Sequence, residues 1–190
     1  MTVTPNQLTW FRLIVAPIVP IVFNQGGIEY KLWACVLFVT AAFTDLIDGI
    51  LARRRQQITS MGKILDPIAD KVLVLGAFVG LAMSGVLNAW WLLPIILREL
   101  SVTIARFMLL SKKEVVAAAP SGKKKVVIQY VTVFLFFLLS LRLEAIQGNL
   151  ENVLRLAAYA MLTVATWSTL KSGYDFFKTN GGKLLERKNR

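Results

Sequence analysis

Histidine is absent from these 190 residues, and cysteine occurs once, at Cys35. Without histidine there is no Ser-His-Asp triad, no Cys-His pair, no phospholipase-D-type His-Lys-Asp site and no His-ligated zinc. A single cysteine excludes an internal disulfide and leaves the redox compartment open. Acidic side chains are scarce too: 11 Asp and Glu stand against 22 Lys and Arg, a formal net charge of +11. Charged residues make up 17% of the chain, against roughly 25% in soluble domains. What is abundant is apolar, with 56% hydrophobic residues and a mean hydropathy of +0.60. That excess excludes a disordered chain or a nucleic-acid-binding tail and points to a membrane protein. Nucleic acid is not an expected partner.

A bilayer-spanning helix needs about 20 mostly apolar residues at 1.5 Å rise each. Six stretches qualify, near 8–24, 32–54, 63–84, 89–111, 124–143 and 153–177. The expected fold is all-α, a polytopic bundle of six transmembrane helices forming a single domain over residues 1–190. Turn chemistry separates the stretches at Gln25-Gly26-Gly27, Ser84-Gly85 with Asn88, Ala117 to Gly122, and Gly148-Asn149. The N-terminal segment lacks a basic region before its apolar run, so it does not read as a cleavable signal. No internal repeat or low-complexity segment is found.

Lys and Arg alternate between loops. Arg53, Arg54, Arg55 and Lys63 follow the second stretch, Lys112, Lys113 and Lys123 to Lys125 the fourth, and Lys178, Lys183, Arg187, Lys188 and Arg190 the last. The intervening loops hold only Lys31, and Arg142 and Arg155. Basic residues accumulate on the cytoplasmic side. The expected location is therefore the cell inner (plasma) membrane, multi-pass, with both termini cytoplasmic. Basic flanks of this kind also attract anionic membrane lipids.

The informative residues are carboxylates inside the apolar stretches. Asp45 and Asp48 lie three apart, Asp66 and Asp70 four apart, so each pair shares a helix face. A charge at the centre of a spanning helix costs roughly 2.5–3.5 kcal/mol, so four facing lipid would cost about 10 kcal/mol. Counting along two helices joined by a short loop puts the four at matching depths, about 6–12 Å above the loop. Hard divalent cations, Mg²⁺ or Mn²⁺, prefer such oxygen ligands. The plainer alternative is ion pairing with Arg53, Lys63 or Lys71. Gly49 and Gly62 beside the pairs would admit a ligand or a helix closely, or serve packing alone.

The string Asp45-Leu46-Ile47-Asp48-Gly49-Ile50-Leu51-Ala52-Arg53, eight residues, then Gly62-Lys63-Ile64-Leu65-Asp66-Pro67-Ile68-Ala69-Asp70 resembles the signature of the CDP-alcohol phosphotransferases. All eight defining positions are filled at the family spacing. The resemblance implies a six-helical membrane enzyme, usually a homodimer, in which an acceptor hydroxyl attacks a CDP-linked lipid and CMP leaves. It implies two divalent metals held by Asp45, Asp48, Asp66 and Asp70, with Asp70 also the general base. Gly49, Ala52, Arg53 and Gly62 would shape the CDP pocket.

A second set of cations bears on the acceptor. Arg98 and Arg106 are eight apart in the fourth stretch, and Lys123, Lys124 and Lys125 open the fifth. Cations near an aspartate site suit a phosphorylated acceptor. Alternatively, the lysines are topogenic and Arg98 pairs with Glu99 or an aspartate. Arg98-Glu99 with Arg106, then Gly122-Lys123-Lys124-Lys125 and Gln129, is similar to the phosphatidylglycerophosphate synthase branch, as is the opening Pro5-Asn6-Gln7-Leu8-Thr9 with Arg12. Val126 and Ile104-Ala105 depart from that branch's common Thr and Gly-Leu. The branch implies CDP-diacylglycerol and glycerol 3-phosphate as substrates, with Arg98, Arg106, Lys123 and Lys125 on the acceptor phosphate. Phosphatidylglycerol or inositol phosphate as acceptor, and a divalent-cation transporter of another class, are the alternatives.

Overall fold

Helix is the only regular structure among the described residues of the computed structural model, which describes residues 5–55, 62–111, 121–141 and 148–185. Within these, the side chains of residues 5–8, 45–55, 62–67, 70, 121–124 and 185 lie outside the description. Helix α1 spans Pro5–Phe23, α2 Ile28–Arg55, α3 Gly62–Met83, α4 Leu92–Ser111, α5 Ser121–Leu141 and α6 Asn149–Leu185. Each of the six apolar stretches thus becomes one helix, with the expected turns found at Gln25 to Gly27, at Ser84-Gly85 and before Asn149, while Ala117 to Pro120 lie outside the described residues. Helix α3 stops at Gly85, whose φ of +74° is open to glycine, and the Leu87 N–H reaches back to the Leu81 carbonyl at 3.1 Å. A 3₁₀ turn, Ala89–Trp91, leads into α4, capped by the Asn88 side chain, which accepts from the Trp90 N–H at 3.0 Å.

Helix α1 sits between α2 and α3 and packs extensively on both, while α2 and α3 touch each other at fewer places. Its seat on α3 follows from residue size. Pro20 has no N–H for the Ala16 carbonyl one turn back. That carbonyl oxygen lies 2.9 Å from where a Cβ on Gly76 would be, and Pro20 Cα lies 2.9 Å from a Cβ on Gly80. The spacing Gly76-x-x-x-Gly80 clears a groove in α3 that the proline turn of α1 fills. Asn24 locks the end of this contact by donating to the Gly80 carbonyl at 3.2 Å. Helices α4 and α5 both pack on α6, and α3 and α2 close the bundle against α5.

The core is apolar and aromatic, with Phe137 packed edge-on against Phe23 at 5.1 Å and tilted against Phe38 at 5.5 Å. The outer surface is apolar as well. On α4 the buried positions are Leu92, Ile95, Glu99, Val102, Ala105 and Leu109, while Leu93, Leu97, Leu100, Ile104 and Phe107 face outward. On α1 the outward stripe is Trp10, Ile14, Ile18 and Ile21. Water does not tolerate exposed apolar faces this long on a stable monomer. Hydroxyls are satisfied within their own helices, as Thr40 to the Val36 carbonyl at 2.7 Å and Thr132 to the Ile128 carbonyl at 2.7 Å. Both features suit a helix bundle in a solvent without hydrogen-bond partners.

Among the described residues one helix, α6, is long and apolar enough to cross a membrane by length and composition. Its 37 residues extend about 55 Å, well beyond a hydrocarbon core of about 30 Å. Shorter apolar segments run over Thr9–Phe23, Lys71–Met83 and Lys125–Leu141. The apolar run of α4 is interrupted by Arg98, Glu99 and Arg106, charges that the interior of the bundle uses.

Candidate active site

Asp45 and Asp48 lie on α2, and Asp66 and Asp70 on α3, in continuous helix at all four positions. Gly49, Ala52 and Arg53 follow on the last turns of α2, and Gly62 begins α3. The side chains of these residues, and that of Lys123 on α5, lie outside the description. Among the described side chains no group of three or more acidic or thiol donors is gathered for a metal. The quartet supplies only carboxylate oxygens, from two helices that touch, and this donor chemistry fits hard divalent cations.

One residue beyond Asp70 the description resumes, and with it a buried polar cluster centred on Glu99. The Glu99 carboxylate is on α4 and 3% exposed. Its Oε1 accepts from Arg98 Nη1 at 3.0 Å and from Lys125 Nζ, which reaches across from α5. Lys71 of α3 approaches Oε2 at 4.0 Å and donates to the Thr103 hydroxyl, one turn along α4. Arg98 continues to α6, donating from Nη2 to Ser172 Oγ at 2.8 Å. Its stem lies over Gly173, where a Cβ would stand 2.8 Å from Arg98 Cγ. Gln129 of α5 donates to the Thr169 hydroxyl of α6 at 3.1 Å, extending the polar seam.

Three helices therefore bring three cations to one carboxylate. Burying an ion pair already costs desolvation energy that the pair's attraction only partly returns, and here Arg98 and Lys125 share one carboxylate oxygen. Arg106, two turns beyond Arg98, adds a further cation; its buried Nε has no hydrogen-bond partner among the described residues, and neither does Arg98 Nε. Arg98 and Lys125 are thus assembled around Glu99, with Arg98 paired to it as the plainer sequence alternative had it.

Three members were not legible as site residues. Lys71 stands out in sequence only as an ion-pair partner for the aspartates. Ser172 and Gly173 belong to the last third of the chain, which reads as undistinguished membrane helix. Their role depends on which helix α4 packs against, and no local pattern carries that. Arg12 of the opening motif is fully buried in α1.

Comparison with known proteins places this geometry. The family model described as CDP-alcohol phosphatidyltransferase matches residues 2–169. A CDP-diacylglycerol–glycerol-3-phosphate 3-phosphatidyltransferase of Bacillus subtilis is 34% identical over 188 residues, covering 93% of this chain and 94% of the relative. Proteins of the same name from Cereibacter sphaeroides and Rickettsia bellii are 36% and 32% identical, covering 82% and 92% of this chain and 72% and 93% of their own lengths. The family is membrane-associated and generally dependent on a divalent metal. The match takes in both aspartate pairs and the Glu99 cluster as far as Thr169, and on that ground the chain belongs to the CDP-alcohol phosphatidyltransferase family.

Proposed function

We propose that this protein transfers the phosphatidyl group of CDP-diacylglycerol to glycerol 3-phosphate, giving phosphatidylglycerophosphate and CMP. The observation that carries the acceptor is the gathering of buried cations near the aspartate pairs: Arg98 and Lys125 on Glu99, with Arg106 two turns along α4. A phosphomonoester is close to a dianion at neutral pH. It would bring negative charge to the cations gathered around Glu99. The names of the relatives support the same substrates.

In this reading Asp45, Asp48, Asp66 and Asp70 hold two divalent ions, Mg²⁺ or Mn²⁺. When bound, such ions would offset the charge on the pyrophosphate and on the departing CMP. Gly49, Ala52, Arg53 and Gly62 bound the CDP pocket. Arg98, Arg106, Lys123 and Lys125 hold the acceptor phosphate, Glu99 fixing Arg98 and Lys125. The hydroxyl of the held acceptor then attacks the β-phosphorus while Asp70 takes its proton. Phosphoryl transfer depends mainly on position and electrostatics, and the chain supplies both without histidine.

The enzyme sits as one domain in the inner membrane, crossing it six times, with the site and both termini at the cytoplasmic face. The outward apolar faces of α1 and α4 and the alternation of Lys and Arg between loops support this. A homodimer follows from the family resemblance. Incorporation of radiolabelled glycerol 3-phosphate into solvent-extractable lipid, with CDP-diacylglycerol and Mg²⁺ or Mn²⁺ present, tests the proposal. Label that stays in the aqueous phase while the protein is folded overturns it.

A further inference from the structure

At the end of the bundle away from the aspartates, the turn after α3 meets the start of α2, the end of α5 and the start of α6. A cavity of about 370 Å³ opens there between α2, α5 and α6 and the turn at Ser84 to Val86. The volume falls within the range of roughly 300–1,000 Å³ typical of small-molecule sites. On this side of the chain Lys and Arg are almost absent, so their placement is informative. Two of the few, Lys31 from the first turn of α2 and Arg155 from the second turn of α6, converge on this one cavity.

Both are held in place. Lys31 is half-buried, and its ammonium donates to the Ser140 carbonyl at 3.1 Å, which fixes it at the wall with two N–H donors left over. Arg155 stands at the rim, tethered by Glu151 one turn earlier at 3.0 Å through Nη2, so its Nη1 and Nε remain uncommitted among the described residues. The Tyr159 hydroxyl, a third donor on the lining, has no hydrogen bond among the described residues. Val86 and Leu139 make part of the lining apolar.

We infer that this cavity is a second binding site, for the phosphodiester headgroup of a phospholipid in the leaflet facing it. The charge count selects the ligand. Lys31 and Arg155 against Glu151 leave one positive charge, matched to the single negative charge of a phosphodiester. Charge-assisted donors from Lys31, Arg155 and Tyr159 take the phosphate oxygens, and the apolar wall takes the start of the glycerol backbone. The inference is independent of which acceptor the enzyme uses.

Native mass spectrometry of the detergent-solubilised full chain, titrated with dioleoyl phosphatidylglycerol and separately with inorganic phosphate, tests this. Wild type is compared with Lys31→Met/Arg155→Met and with Arg155→Met alone, whose side chain at the rim carries little packing. Thermal unfolding confirms that each variant is folded. The expected result is one fewer tightly held lipid in the double variant, at least tenfold weaker binding at that site, and an intermediate loss in the single variant. Equal lipid occupancy in wild type and the double variant overturns the inference. So does a site that takes inorganic phosphate in preference to the lipid.

Discussion

Lys125 of α5 and Glu99 of α4 form an ion pair in the interior of the bundle, both nearly without solvent exposure. Glu99 is shared with Arg98 and approached by Lys71, so one carboxylate organises cations from three helices. Removing it strands charge.

Glu99→Gln keeps the shape of the side chain and deletes its charge. Breaking a buried pair on one side costs about 3–5 kcal/mol. We expect a marked drop in thermal stability in detergent. Saturating glycerol 3-phosphate should raise the variant's Tm by more than it raises the wild type's, because the acceptor supplies the missing negative charge. Equal shifts in both proteins would separate the cluster from acceptor binding.

Gly173→Ala places a Cβ 2.8 Å from Arg98 Cγ, so the arginine stem must leave its seat and its bond to Ser172. The loss corresponds to about 1–2 kcal/mol, or roughly tenfold in acceptor affinity. Steady-state kinetics should show KM rising for glycerol 3-phosphate and staying constant for CDP-diacylglycerol. Ser172→Ala should reproduce a smaller part of the effect.

Gly80→Ala drives a methyl group to 2.9 Å from both Pro20 Cα and Cβ, atoms that belong to backbone and ring and do not rotate away. Overpacking of this kind costs about 1–3 kcal/mol. Thermal unfolding should reveal that loss, with the KM of each substrate in the folded fraction unchanged.

Asp70→Asn tests the general base. Turnover should fall by about 10²–10⁴-fold or more, since an amide neither accepts the acceptor's proton nor ligates a hard cation well. CMP release in single-turnover experiments is the readout. Activity near that of wild type would move the base elsewhere.

Much of the fold is legible from the chain. The six apolar stretches, the turn glycines and the pairing of Arg98 with Glu99 are local features, and local chemistry fixes them. The aspartate spacing is equally local, because each pair sits within one helical turn. What escapes is tertiary. Gly76 and Gly80 have the spacing of a close helix contact, yet only the structure shows that Pro20 of α1 fills the groove. Helix α6 begins before and outlasts its apolar segment 153–177, running from Asn149 to Leu185 through Thr179-Asn180-Gly181-Gly182, weak helix formers whose propensity favours an earlier end. Ser172 and Gly173 matter only through Arg98, which comes from 74 residues earlier in the chain.

The central claim is that Arg98, Arg106 and Lys125, buried near the aspartate pairs, select a phosphomonoester acceptor. The most direct measurement is kcat/KM for CMP release across glycerol 3-phosphate, phosphatidylglycerol and inositol phosphate, in wild type and in Arg106→Ala. The account predicts that wild type prefers glycerol 3-phosphate to phosphatidylglycerol by orders of magnitude, with phosphatidylglycerophosphate as the lipid product. It also predicts that Arg106→Ala raises the glycerol 3-phosphate KM about tenfold or more while leaving that of CDP-diacylglycerol unchanged. A preference for phosphatidylglycerol, with Arg106→Ala behaving as wild type, would contradict it.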